Sequence, residues 1–241
     1  MQNRYVADAG DFGKYLLLKK LCNNDLKLGV NWCLVENENH NNDGKHISYL
    51  EKQNSLFHQA DGLLFEQLQK IIRQSSRNIY SVEQSDILPK GTHFFSEKIP
   101  LQSARIEWHK RSLFGFENSD LVFYDPDNGL EIKSCGINSS KAVKYVFIRE
   151  IIDTWKKKKS IVIYQHTNRN GTIKDQIKAR KLQLEKDLDL SQNQISVIRS
   201  NHGTSRFYIV IKQLNHNEKI DQNLKMLNEF PVWKILQLAV E

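Results

Sequence analysis

Cysteine is scarce in this chain. Cys22, Cys33 and Cys135 are the three among 241 residues. Their spacing matches no zinc motif and their odd number builds no disulfide framework, so a reducing, cytoplasmic setting is expected. Proline numbers four and glycine eleven, with no cluster that marks a linker. A single α/β domain over residues 1–241 is therefore expected. No apolar run approaches the roughly 20 residues of a membrane helix, and Met1-Gln2-Asn3-Arg4 does not open like a signal peptide. A Gly-x-Gly-x-x-Gly fingerprint is absent, as is a phosphate loop ending in Gly-Lys-Thr. Both absences argue against nicotinamide dinucleotides and nucleotide hydrolysis.

What is present suffices for a folded core. Hydrophobic residues make up 39% of the chain and aromatics 10%, more than a disordered chain carries. The net charge of +7 suits a polyanionic partner, RNA or DNA, and nothing points to a membrane.

The apolar spacing predicts alternating helices and strands. A helix capped by Asp11 is expected over 12–22 and a strand over 29–35. A second helix follows at 61–74, where Leu64, Leu68, Ile71 and Ile72 recur at helical spacing. Strands are expected at 78–83 and 92–96, and a basic helix at 103–113. The run Leu121–Tyr124 reads as a buried strand. Residues 141–158 fit either a strand at Tyr145–Ile148 or a helix continuing through Ile151, Ile152 and Trp155. A strand at 160–164 precedes an amphipathic helix at 172–190 with Ile173, Ile177, Leu184 and Leu188 inward. Two closing strands, 195–199 and 205–211, flank a turn and form an antiparallel pair. Alternation of this kind builds a mostly parallel sheet with an antiparallel end.

Five constellations carry chemistry. The strand at 121–124 stops at Asp125-Pro126-Asp127-Asn128-Gly129, and open α/β sheets place their ligand sites just past such strand ends. This turn supports two roles: oxygens that accept hydrogen bonds from an exocyclic amine of a base, or Asp125 and Asp127 binding Mg²⁺ together with Glu36. The N-terminal run Asp8-Ala9-Gly10-Asp11-Phe12-Gly13-Lys14 is either a cofactor or phosphate contact or a helix cap with close backbone approach. After the first strand, Glu36 and the loop through Asp43 and Gly44 offer a carboxylate to ribose hydroxyls, an amino-acid group or a metal. Tyr164-Gln165-His166-Thr167-Asn168-Arg169 supplies a candidate base in His166 and a phosphate contact in Arg169. Finally, Arg105, Lys110 and Arg111, and Lys174, Lys178 and Lys181, form basic clusters able to follow a phosphate backbone or simply to face solvent.

In this order the pieces resemble a class I methyltransferase of the Asp-Pro-Pro-Tyr type. Ala9-Gly10-Asp11-Phe12-Gly13-Lys14 is similar to the start of the ribosomal-RNA adenine-N6 methyltransferase J family, and Asp125-Pro126-Asp127-Asn128 stands where that family has its catalytic tetrapeptide. The chain also resembles uncharacterised bacterial proteins that share its Asn-Arg-Tyr and Gly-Asp-Phe-Gly-Lys start and its Asp-Pro-Asp-Asn-Gly turn. The methyltransferase resemblance implies a Rossmann-like three-layer α/β sandwich, S-adenosylmethionine as cofactor and methylation of an exocyclic amine in RNA or DNA. It implies catalysis at Asp125, Pro126, Asp127 and Asn128. It implies cofactor contacts at Gly10, Asp11, Lys14, Glu36, Asp43 and Gly44. Nucleic-acid contacts are expected at Arg105, Lys110, Arg111, Arg169, Lys174 and Lys178. Two departures stand out: Asp127 replaces the second proline, and Asn128 replaces the aromatic ring that stacks on a flipped base. Leu34-Val35-Glu36 followed by Asp125-Pro126-Asp127 also resembles the Toprim pattern. That alternative implies a Mg²⁺-dependent nuclease using Glu36, Asp125 and Asp127. A third reading is a nucleic-acid-binding protein on a degenerate methyltransferase scaffold, without catalysis.

Overall fold

The computed structural model describes residues 1–23, 26–38, 44–52, 54–203 and 205–239. One seven-stranded sheet runs through it. In chain order its strands are β1 (Leu28–Asn31), β2 (His93–Phe95), β3 (Leu121–Tyr124), β6 (Ser160–His166), β7 (Ile195–Ser200), β8 (Arg206–Ile211) and β9 (Leu236–Leu238). Their spatial order is β2-β1-β3-β6-β8-β7-β9. β2, β1, β3 and β6 are parallel, whereas β8 is antiparallel to both β6 and β7. A two-stranded ribbon, β4 (Gly129–Leu130) and β5 (Tyr145–Val146), sits beyond the end of β3. The protein is thus α/β with a Rossmann-like three-layer arrangement.

Helices cover both faces, which is why the central strands carry largely continuous apolar runs and do not alternate. On one face Val30, Phe123, Val162 and Val210 pack against α1 (Ala9–Cys22), α3 (Gly62–Arg73) and α8 (Leu214–Lys225). On the other, Val122, Ile161, Ile163 and Ile209 meet Trp108 of α5 (Ala104–Gly115), Ile151 of α6 (Ile148–Lys156) and Leu184 of α7 (Ile173–Leu188). Short helices α2 (Leu56–Ala60), α4 (Ile79–Glu83) and α9 (Val232–Ile235) complete the order.

Several expectations are corrected. The cap of α1 is Asp8, whose carboxylate accepts the Asp11 N–H at 2.8 Å, and Asp11 lies inside the first turn. Residues 78–83 are a helix, not a strand. Asn78 caps α4, and Ile79 and Val82 bury one side at a spacing of three. β1 ends four residues earlier than expected because the Asn31 carboxamide takes the Cys33 N–H at 2.9 Å and Cys33 adopts φ 45°. Residues 141–158 hold both alternatives in succession, β5 and then α6. The expected β7–β8 pair forms, and β9 extends it by one more antiparallel strand. Among the described residues no helix is long and apolar enough to cross a membrane.

Candidate functional site

β1, β3 and β6 run parallel, so their carboxyl ends share one edge of the sheet. A cleft of about 280 Å³ opens there. Asp8, Asp11 and Lys14 reach it from the start of α1, and Asp125, Pro126, Asp127 and Asn128 from the turn after β3. Tyr164 and His166 of β6 and Arg206 of β8 form a further wall.

Lys14 is the centre of the first cluster. Its ammonium lies 2.6 Å from Asp11 Oδ1 and 2.6 Å from Asp125 Oδ2, with all three side chains buried. Tyr15 donates to Asp11 Oδ2 at 3.0 Å. Burial alone would depress the Lys14 pKa, but the two carboxylates outweigh it and hold the amine protonated well above the ordinary lysine value. Burial raises the Asp125 pKa, with Lys14 opposing the rise. Asp8 is likewise raised, by burial and by Asp11. The sequence places Lys14 three residues after Asp11, one helical turn on, so both point the same way.

The second cluster ties the N-terminal segment over the strand ends. The Met1 amino group donates to Cys33 O at 3.0 Å and Asp125 O at 2.8 Å, and pairs with Asp127 Oδ1 at 3.0 Å. Gln2 donates to Asp127 Oδ2 at 2.7 Å. Burial would raise the Asp127 pKa, but the Met1 ammonium and Gln2 hold it below the usual carboxylate range. Glu38 accepts from Arg4 through its carbonyl and pairs with Lys144 through its carboxylate.

The turn itself is fastened from below. Gln165 accepts the Leu130 N–H at 3.0 Å and donates to Asn128 O at 3.1 Å. Gly129 makes this possible. Its φ is +113°, and a Cβ there would stand 2.5 Å from the Gln165 carboxamide. Asn128 N donates to Lys144 O at 2.9 Å. The Asn128 backbone is thus fully engaged, while its side-chain carboxamide bonds to nothing among the described residues, and Asn128 lines the cleft.

Arg206 enters through a gap left by glycine. A Cβ on Gly10 would lie 1.6 Å from Arg206 Nη1. The guanidinium sits over the Tyr164 ring, 5.7 Å from its centroid. Burial disfavours the Arg206 charge, but Tyr164, Tyr208, Asp8 and Asp11 outweigh it. Burial pushes the Tyr164 phenol up to about 12. Beneath, the Tyr208 hydroxyl is buried with no hydrogen-bond partner among the described residues.

The structure brings together Asp11, Lys14, Gly44 and all four residues of the turn. Gly10 stands behind them as the seat of Arg206. Glu36 is not among them. Its side chain is 80% exposed and pairs with Lys98 at the surface, and Glu38 occupies the cleft instead. The strand's early end explains this, because the chain after Asn31 no longer follows the sheet's alternation. Asp43 lies outside the described residues. Arg105 is not a surface contact. It is 1% exposed, bonds Glu150 through two nitrogens at 2.7 and 2.9 Å, and stacks on Phe147. Lys110 and Arg111 are exposed but pair with Glu107 and Glu97. Arg169, Lys174 and Lys178 are exposed. Sequence reading did not single out Glu38, His46, Lys144 or Arg206 as cleft residues. Arg206 and His166 are cross-strand partners in β8 and β6, a signal visible only once those strands pair.

Metal chemistry at Asp125 and Asp127 does not match these contacts. Each carboxylate already faces an ammonium group, Glu36 is elsewhere, and no three His, Cys, Asp or Glu side chains converge as a metal site among the described residues. The groups lining the cleft do fit a zwitterionic, ribose-bearing cofactor in kind. Asp8 and Arg206 bring a carboxylate and a cation to it, Glu38 and Lys144 line it as an ion pair with each other, and the Asn128 amide has no partner among the described residues. No protein-family model matches the chain, and no curated protein matches it in sequence.

Proposed function

We propose that the protein is an S-adenosylmethionine-dependent methyltransferase acting on an exocyclic amine of a nucleic-acid base. The observation that carries this reading is the Asn128 carboxamide, without a partner among the described residues, in a mixed-charge cleft at the carboxyl ends of parallel strands. S-adenosylmethionine, when bound, supplies an electrophilic methyl group. Asp8, Glu38, Arg206 and Lys144 are the residues that would hold it.

The protein's own part is orientation. An exocyclic amine is a poor nucleophile because its lone pair is delocalised into the ring. Oxygens that accept its N–H bonds fix the amine and turn the lone pair toward the methyl group. Asn128 Oδ1 is available for this, and the Asp125 carboxylate lies in the same turn. Lys14 keeps Asp125 in one rotamer, so the acceptor is in place before the substrate arrives. Asp127 plays a different part and anchors the N-terminal segment that roofs the strand ends.

Calorimetry with S-adenosylmethionine, and separately with Mg²⁺, tests the reading. Binding of the cofactor and transfer of labelled methyl groups to nucleic acid are expected. Asn128→Ala should lower transfer by about 10²-fold or more through lost positioning, with cofactor affinity little changed. Glu36→Gln should leave both intact. Absence of cofactor binding, or Mg²⁺-dependent cleavage that needs Glu36, overturns the proposal.

A further inference from the structure

A second groove lies where β6 ends and α7 begins, and Gln165 of β6 lines it. Its volume is about 340 Å³, and Asn168, Asn170, Gln176, Arg180 and Gln183 line it over a floor that includes Phe207. The groove is rich in carboxamides, and its single acid, Asp175, is answered by Thr172.

Part of this lining is already committed. Gln176 accepts the Asn168 N–H at 2.9 Å and donates back to Asn168 O at 2.9 Å. Arg180 donates to Glu131 O and Leu130 O, each at 3.0 Å, and to Gln183 Oε1 at 2.7 Å. These bonds hold the walls. They leave the amide nitrogens of Asn168 and Gln183 and the whole Asn170 carboxamide without partners among the described residues. Free carboxamides offer donors and acceptors without charge, which suits a neutral planar heterocycle better than a phosphate.

The groove is also coupled to the cleft. Gln165 lines the groove and His166 the cleft, because consecutive residues of a strand face opposite ways. Gln165 supports the backbone of Asn128 and Leu130 directly. A ligand in the groove therefore touches the residue that braces the turn. The expected lysines do not share this face. On α7, Gln176, Arg180 and Gln183 look into the groove and Ile177 and Leu184 into the core, while Lys174 and Lys178 line neither.

We propose that this groove binds a nucleobase of single-stranded RNA or DNA, next to the base whose amine enters the ionic cleft. The inference rests on the methyltransferase reading for the role of the cleft, but not for its own test. A net charge of +7 favours a polyanionic strand over a peptide as the carrier of the planar polar group.

The test uses fluorescently labelled single strands of RNA and of DNA with one sequence, and the DNA duplex, in anisotropy titrations over a range of salt. The full chain should bind the single strands more tightly than the duplex. Asn170→Ala with Gln183→Met keeps the charge, and should weaken single-strand binding by about five- to tenfold for each hydrogen bond removed, without changing the salt slope. Thermal melting confirms that the variant is folded. Tighter binding of one sugar type names the source, and equal binding means that the base alone is read. Each of these supports the groove. Unchanged affinity in the folded double variant, no binding of either single strand, or preference for the duplex overturns it. S-adenosylmethionine calorimetry on the same variant separates the two proposals. Retained cofactor binding without groove-dependent strand binding sinks this inference alone, and the reverse sinks methyl transfer alone.

Discussion

Lys14→Met is the most informative perturbation. The wild-type ammonium neutralises two buried carboxylates, Asp11 and Asp125, each 2.6 Å away. Methionine fills a similar volume but leaves both acids buried without their cation. Removing one partner of a buried ion pair costs about 3–5 kcal/mol. That is a large share of the roughly 5–15 kcal/mol by which a domain is stable. Asp125→Asn alone should cost less, about 1–3 kcal/mol, because Lys14 keeps Asp11 as a partner. The combination is decisive. In Lys14→Met, Asp125→Asn removes one of the two unneutralised charges, so the double variant should be more stable than Lys14→Met itself. Urea unfolding followed by circular dichroism measures all four proteins in one double-mutant cycle. If Lys14→Met lies within about 1 kcal/mol of wild type, or if the second substitution adds to its damage, the electrostatic account of this cluster is wrong.

Other outcomes follow from the same structure. Lys14 gains its proton affinity in the fold, so its contribution is complete below lysine's ordinary 10.5 and declines as pH rises above it. Buried neutral Tyr15 and Tyr124, whose pKa values burial raises from an ordinary 10.0, act in the same direction. Stability should therefore fall steeply above about pH 10, and a denaturation midpoint that stays flat from about pH 9 to about pH 11 would contradict this. His109 acts at the other end. Both its ring nitrogens are buried without hydrogen-bond partners among the described residues, Asp153 Oδ2 is 3.8 Å away, and burial lowers its pKa from 6.5. Its stability contribution is full above 6.5 and is lost as pH falls toward the lowered value, at up to ~1.4 kcal/mol per pH unit. His109→Leu should flatten that part of the profile; parallel curves for the two proteins would refute it. Gly129→Ala places a side chain at φ +113° and a Cβ 2.5 Å from Gln165, so about 2–4 kcal/mol should be lost in thermal or urea unfolding. Gly10→Ala meets only the far end of the Arg206 side chain, so the fold should persist while cofactor affinity falls, as calorimetry would show.

Much of the architecture was legible because burial on two faces leaves a mark in the chain. Leu121–Tyr124 and Ser160–Tyr164 are largely continuous apolar runs, and such runs belong inside a sheet covered on both sides. Asp125-Pro126-Asp127-Asn128-Gly129 reads as a strand-end site for the same reason: polar turn residues stop the apolar run where open sheets put ligands. Local chemistry misled where it had two solutions. Residues 78–83 carry β-branched Ile79 and Val82, yet Asn78 supplies a cap and the segment winds into α4. Glu36 stands at the expected strand end, but Asn31 breaks the strand first and sends it outward. Arg105 looks like a surface cation in a basic helix, and only the position of Glu150, 45 residues later, buries it.

The sequence by itself determined the layer type and the position of the polar turn after β3, because apolar periodicity is local. Tertiary structure alone decided which charges meet. Lys14 finds Asp125 across 111 residues, Arg206 reaches the cleft through the gap at Gly10, and Gln165 braces Gly129 from a neighbouring strand. Those contacts depend on strand order and register, and no local pattern encodes the distance between residues that only the sheet brings side by side.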